Sequence, residues 1–414
     1  MKKRQAVITG LGIVSPIGIG IDEFWRNALA GKSGIGAPTL FDASRLSPEC
    51  RIVGEVKHFN ALDWMPHRTV QMAGRFSQFA VAVARMAAED ADLEHAKIPS
   101  VEIVVSFGSG LSGYVDLGEQ GVRAVLNKQS PVPWSVLEYP GHAATSHVAI
   151  AVGAKGQAAT IETACAAGVD AVAWAADKIS RGEALAVVAG STEAPLSEVS
   201  IEAFRALGVL SRWDGHPSQA SRPFDKLRTG LVLAEGAAAV IVEEEEHARA
   251  RGARIYGRIS GWGSVTEGAH MRKVDATGTP VARVLDQAMQ LAGIGPSDID
   301  YLCAHGNGLP DYDDAETAGI KRAFGQRAWS LPISSIKSMC GQPMSAAGAM
   351  QIVTACLALR DGMVPPTINY CVPDPNCDLD YVPNVARMVR IRNVLVHAHG
   401  IGGSHAALTL NHVD

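Results

Sequence analysis

One cysteine, in the run TACAAG at positions 163–168, constrains this chain more than any other feature. Cys165 stands between a β-rich stretch at 159–163 and a long segment whose residues are apolar on nearly every face, as in a buried helix. A thiol at the first turn of such a helix feels the positive end of the helix dipole, which favours the reactive thiolate. Taken alone, this pattern is equally compatible with a nucleophile and with an inert core cysteine.

Further motifs accompany this run along the chain. They are VITGLGIVSP at 7–16, EA at 193–194, ASRPFD at 220–225, GLVLAEGA at 230–237, AHG at 304–306, SIKSM at 335–339 and GIGG at 400–403. In this order and spacing they closely resemble the β-ketoacyl synthases, which elongate fatty acid and polyketide chains on an acyl carrier protein. The resemblance covers essentially the whole chain and favours the nucleophile interpretation of Cys165.

Composition and charge bound the class of protein. With 414 residues, 47% hydrophobic and 19% charged, the chain is predicted to be a soluble α/β protein with a large core. Its net charge of -5 gives no overall basic field, which argues against nucleic acid as a partner, although a local basic patch could still meet an acidic carrier protein. No run of 18 apolar residues is present, so no membrane span is expected.

Cysteine usage and the N-terminus bear on the compartment. The seven cysteines are odd in number and form no C-x-x-C pair, which predicts a reducing, cytoplasmic setting without structural zinc. The basic start at 1–4 and the apolar run after it resemble a secretory signal only weakly, and a buried first strand fits them better.

β-Branched runs alternate with helical patterns, which predicts an α/β fold with both sheet faces covered. Strands are predicted at 5–9, 101–106, 184–189, 238–243, 255–260, 301–304, 388–391 and 394–397, and helices at 21–30, 73–91, 168–181, 281–292, 314–324 and 346–359. No internal repeat is evident, and the acidic run 243–246 is interpreted as a solvated strand end. The resemblance implies the thiolase fold, two similar halves in a five-layer αβαβα sandwich, expected here at 1–251 and 252–414.

The resemblance also implies a catalytic constellation. Cys165 would attack an acyl thioester, while the backbone N–H groups of Cys165 and of the Gly400–Ile401 region would hold the oxyanion. An enolate formed from a malonyl thioester would be held by two side-chain donors, His305 and the residue at the second histidine position, Gln342. Lys337 is retained beside them, and no metal or organic cofactor is expected.

Several positions depart from the family pattern. Gln342 replaces a histidine, and its amide can donate a hydrogen bond but cannot exchange a proton. Gln351 replaces a glutamate, which leaves Lys337 less compensated and should further favour the Cys165 thiolate. The other departures are Asn307 and Leu309 for two pantetheine-contacting threonines, Thr229 for an aspartate, and His399 and Ile401 for two phenylalanines of the gating loop.

Other residues are expected around the acyl chain. The stretch GSGLSG at 108–113 fits a dinucleotide motif literally but lacks its βαβ context. In the family this segment lines the acyl pocket, so Leu111 is assigned there, with Phe204, His399, Gly400 and Ile401 as pocket or gating residues. His399 is interpreted as a polar packing residue in preference to a third catalytic donor.

Three functions remain open on sequence alone. The favoured one is a condensing enzyme of a type II fatty-acid or polyketide pathway, because Cys165 is retained in an intact motif. The alternatives are a non-condensing partner resembling chain-length factors and a ketosynthase-like acyltransferase. An acyl carrier protein is the expected partner, and a two-fold dimer is predicted through the segment 143–162, read as a strand in which Val148, Ile150, Val152 and Ala154 alternate. A homodimer is favoured over a heterodimer with a second synthase-like chain.

Overall fold

The computed structural model describes residues 4–115 and 117–413. Its strands are β1 Ala6–Ser15, β2 Gly18–Ile19, β3 Ile35–Gly36, β4 Val53–Gly54, β5 Ile103–Gly108, β6 Ala158–Ile161, β7 Ala186–Glu193, β8 Gly236–Glu244, β9 Gly257–Thr266, β10 Tyr301–Cys303, β11 Ile333–Ser334, β12 Met363–Val364, β13 Arg387–Met388, β14 Asn393–Gly400 and β15 Ser404–Asn411. Its helices are α1 Ile21–Leu29, α2 His67–Met72, α3 Arg75–Asp90, α4 Leu117–Leu126, α5 Ser135–Glu138, α6 His142–Val152, α7 Ala167–Ser180, α8 Glu198–Leu207, α9 Glu245–Ala250, α10 Thr279–Ala292, α11 Pro310–Phe324, α12 Lys337–Cys340 and α13 Ala347–Asp361. Among the described residues, none of these helices has the length and apolarity that a membrane crossing requires.

The main sheet contains the same five-strand arrangement twice. One half runs β6-β5-β7-β8-β1 and the other β11-β10-β14-β15-β9, with β1 and β9 joining them along a short antiparallel contact. In each half the first three strands of this order are parallel to one another. The third and fourth strands then pair antiparallel, and so do the fourth and fifth. Counted along the chain, both halves have the strand order 3-2-4-5-1, so the fold is an internally repeated one.

Helices cover the two halves in layers. Helices α3 and α6 pack on the outside of the first half, and α10 and α11 lie on the outside of the second. Helices α7 and α13 lie between the halves and contact strands of both. The resulting order is the five-layer αβαβα sandwich of the thiolase fold, as predicted.

The central helices explain the apolar segments of the sequence. Helix α13 is buried on every side from residue 347 to 359, and α7 buries most of its length. Gly168 and Gly348 allow them to cross closely, because a Cβ at Gly168 would lie 2.4 Å from the backbone nitrogen of Ala349, and one at Gly348 would lie 2.6 Å from that of Val169. The sequence predicted both helices, and it predicted burial for α7.

A short repeat in the sequence becomes visible only in the structure. Helix α7 is preceded by a 3₁₀ turn at 164–166 and α13 by a 3₁₀ turn at 344–346. The first residue of each turn has a positive φ, 53° at Ala164 and 45° at Met344. The two segments read ACAAG and MSAAG, a short repeat that was not evident in the sequence alone and that accords with the two similar halves expected from the resemblance.

Three further expectations are corrected. The stretch predicted as a strand at 388–391 contributes only Met388 to the two-residue β13, because it lies at the protein edge and pairs only with β12. The alternating residues Val148–Ala154 belong to or follow helix α6, and the strand of that segment is β6. The acidic run is not a solvated strand end, because its first three residues are buried, with Glu243 bound by Arg251 and His247. The boundary expected near residue 252 stays a prediction.

Candidate active site

Cys165 lies in the 3₁₀ turn that joins β6 to α7, between the two halves of the molecule. The loop after β14 lies directly on this turn. A Cβ at Gly400 would lie 3.0 Å from the carbonyl oxygen of Thr163 and 3.2 Å from the backbone nitrogen of Cys165, so glycine allows the close approach. The backbone N–H of Ile401 lies near enough to the thiol to lower its pKa. The predicted pair of backbone donors, Cys165 and the Gly400–Ile401 region, is therefore brought together.

The expected bias of Cys165 toward thiolate is absent in this structure. Burial raises the pKa of Cys165 to about 11. The positive charge of Lys337, the amide of Gln342 and the N–H of Ile401 each lower that pKa, but together they do not offset the loss of solvation. Burial therefore opposes the thiolate, and the helix-dipole argument left out this cost of burying a charge.

His305 follows β10 and is held as a neutral hydrogen-bond donor. Burial, with a further contribution from Lys337, lowers its pKa well below the ordinary value. Its Nδ1 accepts the backbone N–H of His399 at 3.2 Å, so the proton of the neutral ring lies on Nε2. The Nδ2 amide of Asn307 lies 3.2 Å from this Nε2, while its Oδ1 accepts the N–H of Leu309. Two N–H groups are thus available to a shared acceptor oxygen.

Lys337 and Gln351 support His305 from behind. The Lys337 ammonium donates to the backbone carbonyl of His305 at 2.6 Å and to Oε1 of Gln351 at 3.3 Å. Burial lowers the pKa of Lys337. The Gln351 amide nitrogen donates to the carbonyl oxygens of Cys303, Ala304 and His397, at 3.2, 2.8 and 2.9 Å. The glutamine therefore makes donor contacts that a carboxylate cannot make.

Gln342 is held by its backbone and faces the thiol with its side chain. Its N–H donates to the carbonyl of Val232 at 2.7 Å, and its carbonyl accepts the N–H of Ala234 at 3.0 Å. The side chain is buried, and among the described residues its two amide atoms lack a hydrogen-bond partner of ordinary geometry. The amide nevertheless lies near enough to Cys165 to lower the pKa of the thiol. Its donor is therefore free to bind a substrate oxygen beside the nucleophile.

Apolar side chains surround Cys165 in one cluster. It includes Leu309, Tyr312 and Met344, with Phe204 and Ile401 partly buried against it. Leu111 lies outside this cluster, with its N–H bound to the carboxylate of Glu193 at 3.1 Å, and its place in the acyl pocket stays a prediction. Sequence reasoning missed Tyr312. Its position, seven residues after His305 on the first turn of α11, is the only signal that could have indicated it.

His399 is buried in a stack of rings beside the active site. Its ring lies 4.4 Å from that of Tyr312 and 3.9 Å from that of His405, which is its direct cross-strand partner. The ring centroid of His305 is 6.0 Å away. Burial lowers the pKa of His399 well below its ordinary value. The interpretation of His399 as a packing residue agrees with this stacking, whereas Glu267 and His405 beside it were not predicted.

A line of buried polar groups continues from His405. Nε2 of His397 lies 3.4 Å from Nδ1 of His405, and Nδ1 of His397 lies 2.6 Å from Oε1 of Glu316. The Glu316 carboxylate also accepts the backbone N–H groups of His305 and Gly306, both at 2.7 Å. Burial tends to raise the pKa of Glu316, but these hydrogen bonds outweigh it and lower the pKa, so the carboxylate is ionised.

Comparison with known proteins identifies the family. The chain matches the models "Beta-ketoacyl synthase, N-terminal domain" over residues 3–248 and "Beta-ketoacyl synthase, C-terminal domain" over 256–371. It is 40% identical to the 3-oxoacyl-[acyl-carrier-protein] synthase 2 of Coxiella burnetii, over 100% of both chains. It is 37% identical to a putative polyketide beta-ketoacyl synthase 1 of Streptomyces cyaneus, over 98% of both chains.

Solved structures agree with this family. A type II polyketide ketosynthase, in complex with its acyl carrier protein and bound to the hexaketide, superposes with a TM-score of 0.92 and 35% identity, over 99% of this chain and 100% of that one. The ishigamide ketosynthase/chain length factor gives a TM-score of 0.92 and 31% identity over 100% of both chains. This chain belongs to the β-ketoacyl synthase family.

Proposed function

We propose that this chain is a β-ketoacyl-acyl carrier protein synthase of a type II fatty-acid or polyketide pathway, and that Cys165 carries the growing acyl chain. The observation that carries the proposal is the meeting of Cys165, the Ile401 N–H and the amide of Gln342 in one buried apolar site. The reaction is a decarboxylative Claisen condensation with malonyl-acyl carrier protein as the extender.

In the first half-reaction, the Cys165 sulfur attacks the carbonyl carbon of an acyl thioester. A carbon–sulfur bond to Cys165 forms, the bond to the carrier's thiol breaks, and the Cys165 proton leaves with the departing thiol. The N–H groups of Cys165 and Ile401 hold the oxyanion of the tetrahedral intermediate.

In the second half-reaction, the malonyl thioester loses carbon dioxide. The electron pair of the broken carbon–carbon bond forms an enolate, whose oxygen accepts the Nε2–H of His305 and an N–H of Gln342. The enolate carbon then attacks the acyl carbonyl on Cys165, and collapse of the intermediate releases the cysteine as thiolate. Asn307, whose amide converges on His305 Nε2, adds a third donor at this oxygen.

The experiment is mass spectrometry of the protein incubated first with acyl and then with malonyl carrier protein. We expect acyl mass on the Cys165 peptide and then a β-keto product two carbons longer. The matched control is Cys340→Ala, because Cys340 is close in sequence to Gln342 but is buried, with its pKa raised to about 12. Acylation that persists in Cys165→Ala would contradict the nucleophile assignment.

The first alternative function is a non-condensing subunit that resembles chain-length factors, and the residue Gln342 favours it. Gln342 cannot act as an acid or base, and one similar structure is the ishigamide ketosynthase/chain length factor. An acyltransferase without condensation is the second alternative. In the experiment above, absence of acylation on Cys165 would support the first alternative, and acylation without a lengthened product would support the second.

An acyl carrier protein is the proposed partner. Arg205 at the end of α8, and Arg272 and Lys273 in the loop after β9, are exposed. Arg272 donates to the carbonyl of Leu207 at 3.3 Å, which brings this loop to the end of α8, whose Phe204 packs at the Cys165 cluster. These cations would attract an acidic carrier toward the nucleophile. Exchange of both Arg205 and Arg272 for glutamate should raise KM for the carrier more than it lowers kcat.

A two-fold homodimer is the proposed assembly. Strand β6 is an edge of the large sheet, and an exposed edge needs a covering partner. Exposed apolar residues are frequent in the described chain segments flanking it: Val122, Val125, Leu126, Val136, Leu137 and Ile150. Native mass spectrometry of the chain expressed alone should show a dimer that Ile150→Asp weakens and Met388→Asp, a control at an equally exposed residue, does not. A stable monomer, or protein soluble only with a co-expressed partner, would favour the heterodimer.

We also propose a cytoplasmic location and the division of the chain at 1–251 and 252–414. The free state of all seven cysteines supports a reducing compartment. The repeated strand order supports a boundary between β8 and β9. Disulfide mapping and limited proteolysis test these two points.

A further inference from the structure

Three side chains of types that bind metals converge beside the active site. They are Glu267, directly after β9, and the cross-strand pair His399 and His405. Oε1 of Glu267 lies 3.0 Å from Nε2 of His405 and 3.6 Å from Nε2 of His399, and the three ligand atoms lie within 4.8 Å of one another. Two ligands of one tetrahedral ion are about 3.3 Å apart when each bond is about 2.0 Å. The two separations from Glu267 lie on either side of this value.

His399 needs a partner that the protein does not supply. The residue is 1% exposed, and within the described parts of the chain neither of its ring nitrogens makes a hydrogen bond. Its stacking on Tyr312 and His405 would be available equally to a phenylalanine. A buried polar ring without a partner costs free energy. Its Nε2 faces the Glu267 carboxylate at a distance too long for a hydrogen bond, which leaves room for a cation between them.

The neighbouring groups form a continuous polar line that ends at the same position. Nδ1 of His397 lies 2.6 Å from Oε1 of Glu316, and Nε2 of His397 lies 3.4 Å from Nδ1 of His405. Nε2 of His405 lies 3.0 Å from Oε1 of Glu267. The Nε2 atoms of His405 and His399 therefore both lie at the Glu267 carboxylate.

We propose that Glu267, His399 and His405 bind one divalent transition-metal ion of the zinc class as a two-histidine, one-carboxylate site. Oε2 of Glu267 accepts the N–H of Asp275 at 3.0 Å, which orients Oε1 toward the ion. Nδ1 of His405 lies 3.4 Å from Nε2 of His397, which is the outer contact that metal-bound histidines usually make. The fourth position is left to water or a small ligand.

A second group of potential metal ligands differs, because a cationic side chain of the protein already lies among them. Asp314, Asp374 and Cys377 also lie close enough to share an ion, but the guanidinium of Arg228 already pairs with Asp374 at 2.6 Å and with Asp314. That group therefore has its cation within the chain. The Glu267 group, in contrast, has no Lys or Arg ion pair with these three residues in the described structure.

The glycine loop at 402–403 bears on how an ion would enter the site and on what its binding would do. Gly403, with φ of 85°, packs against Glu267, whose N–H donates to the Gly403 carbonyl at 2.9 Å. Opening of this loop gives an ion its path. The ion would join the segment after β9 to β14, whose His399 N–H orients His305. Binding should therefore raise the melting temperature, by mass action on the folded state.

The test is metal titration of the untagged full chain after chelator treatment. Calorimetry with Zn²⁺ should give one ion per chain, and Co²⁺ should give the intense visible absorption of a tetrahedral site. The isosteric Glu267→Gln and the ring-preserving His399→Phe should each weaken binding by at least about 10–100-fold, the range known for outer-contact losses. The matched control is His247→Gln, which removes a histidine paired with Glu243 at 2.7 Å elsewhere.

The same titration of Cys165→Ala separates this proposal from the proposed function. Unchanged binding in that variant shows that the site is independent of the nucleophile, whether or not the chain condenses acyl groups. Folding of each variant is checked by circular dichroism. The proposal is overturned if the wild type binds no ion stoichiometrically, which leaves a shared proton at this position, or if folded Glu267→Gln and His399→Phe both bind as the wild type does.

Discussion

Cys165 and Ser345 occupy equivalent places in the two halves of the molecule. Each is the middle residue of a 3₁₀ turn whose first residue has a positive φ, and each turn leads into a buried central helix. The helices cross at a pair of glycines, Gly168 and Gly348, that follow each turn by the same number of residues. The backbone device is therefore the same on both sides of the crossing.

The neighbours of the two side chains differ. The Ser345 hydroxyl is used by the structure, since Ser345 makes hydrogen bonds to Oε2 of Glu193 at 2.7 Å and to the carbonyl of Thr192 at 3.0 Å. Cys165 faces the Ile401 N–H, Gln342 and an apolar cluster. Burial raises the pKa of Glu193 to about 7, so the Ser345 side also holds a carboxyl that titrates near neutrality. The turn provides a buried position for a side chain, and the contacts around it decide whether that side chain can react.

The strongest test of this difference moves the thiol from one turn to the other. In the double variant Cys165→Ala, Ser345→Cys we expect acylation to fall to background, because the Glu193 carboxyl hydrogen-bonded at residue 345 disfavours a thiolate, whereas the proposed oxyanion donors lie at Cys165. Acylation is followed by mass spectrometry, with Ser345→Cys alone as the control that keeps Cys165. Acyl mass on residue 345 of the double variant would show that the turn by itself creates a nucleophile.

The next largest effect should come from the donors around Cys165. Loss of His305 in His305→Ala should lower malonyl decarboxylation by about 10²–10³-fold, because it removes a positioned oxyanion donor. Gln342→Ala should cost less, since Asn307 and His305 still converge on one oxygen. Gln342→His should raise the rate if the amide is only a weaker donor. Release of carbon dioxide measures all three, and equal losses in the two alanine variants would contradict this ranking.

Much of the candidate site could be predicted from the sequence because its residues stand in short local motifs. The positions of Cys165, His305 and Lys337 come from short runs tied to turns, and the structure brings these residues together as expected. The burial of helix α7 followed from apolar residues on all sides. Strand β15 was missed because β-branched runs were the signal for a strand, and its apolar run at 406–410 has only one β-branched residue, Thr409.

The rest depends on distances that sequence does not contain. Gln351 was interpreted as a lost carboxylate, whereas its amide donates to three backbone carbonyls from different strands and loops. The direction of the Cys165 pKa depends on burial, which outweighs the opposing contributions of Lys337, Gln342 and Ile401. Glu267 and His405 become partners of His399 only through the pairing of β15 with β14 and β9. Such contacts join segments that are far apart in the chain.

The glycine crossing gives a test of the shared backbone device itself. Gly168→Ala and Gly348→Ala should each destabilise the fold by about 1–3 kcal/mol, because the new methyl group meets backbone atoms that cannot move aside. Gly36→Ala is the matched control, since a Cβ there has no atom within 4 Å. Denaturant unfolding measures the differences. If only one of the two variants is destabilised, close packing at the crossing requires glycine in only one of the two helices.

The smallest effect should be electrostatic and should appear only on the Cys165 side. With its pKa raised to about 11, Cys165 loses its proton only at high pH, so its alkylation rate should keep rising from pH 7 to beyond pH 9. Lys337→Met removes the positive charge that lowers this pKa, so the pKa should rise further and alkylation should be slower at a fixed pH. Lys178→Met, at a lysine paired with Glu183, is the control and should leave the rate unchanged. A plateau of the wild-type rate below pH 8 would mean that the thiolate is stabilised more strongly than burial opposes it, and the contrast with Ser345 would then rest on charge and not on hydrogen bonding.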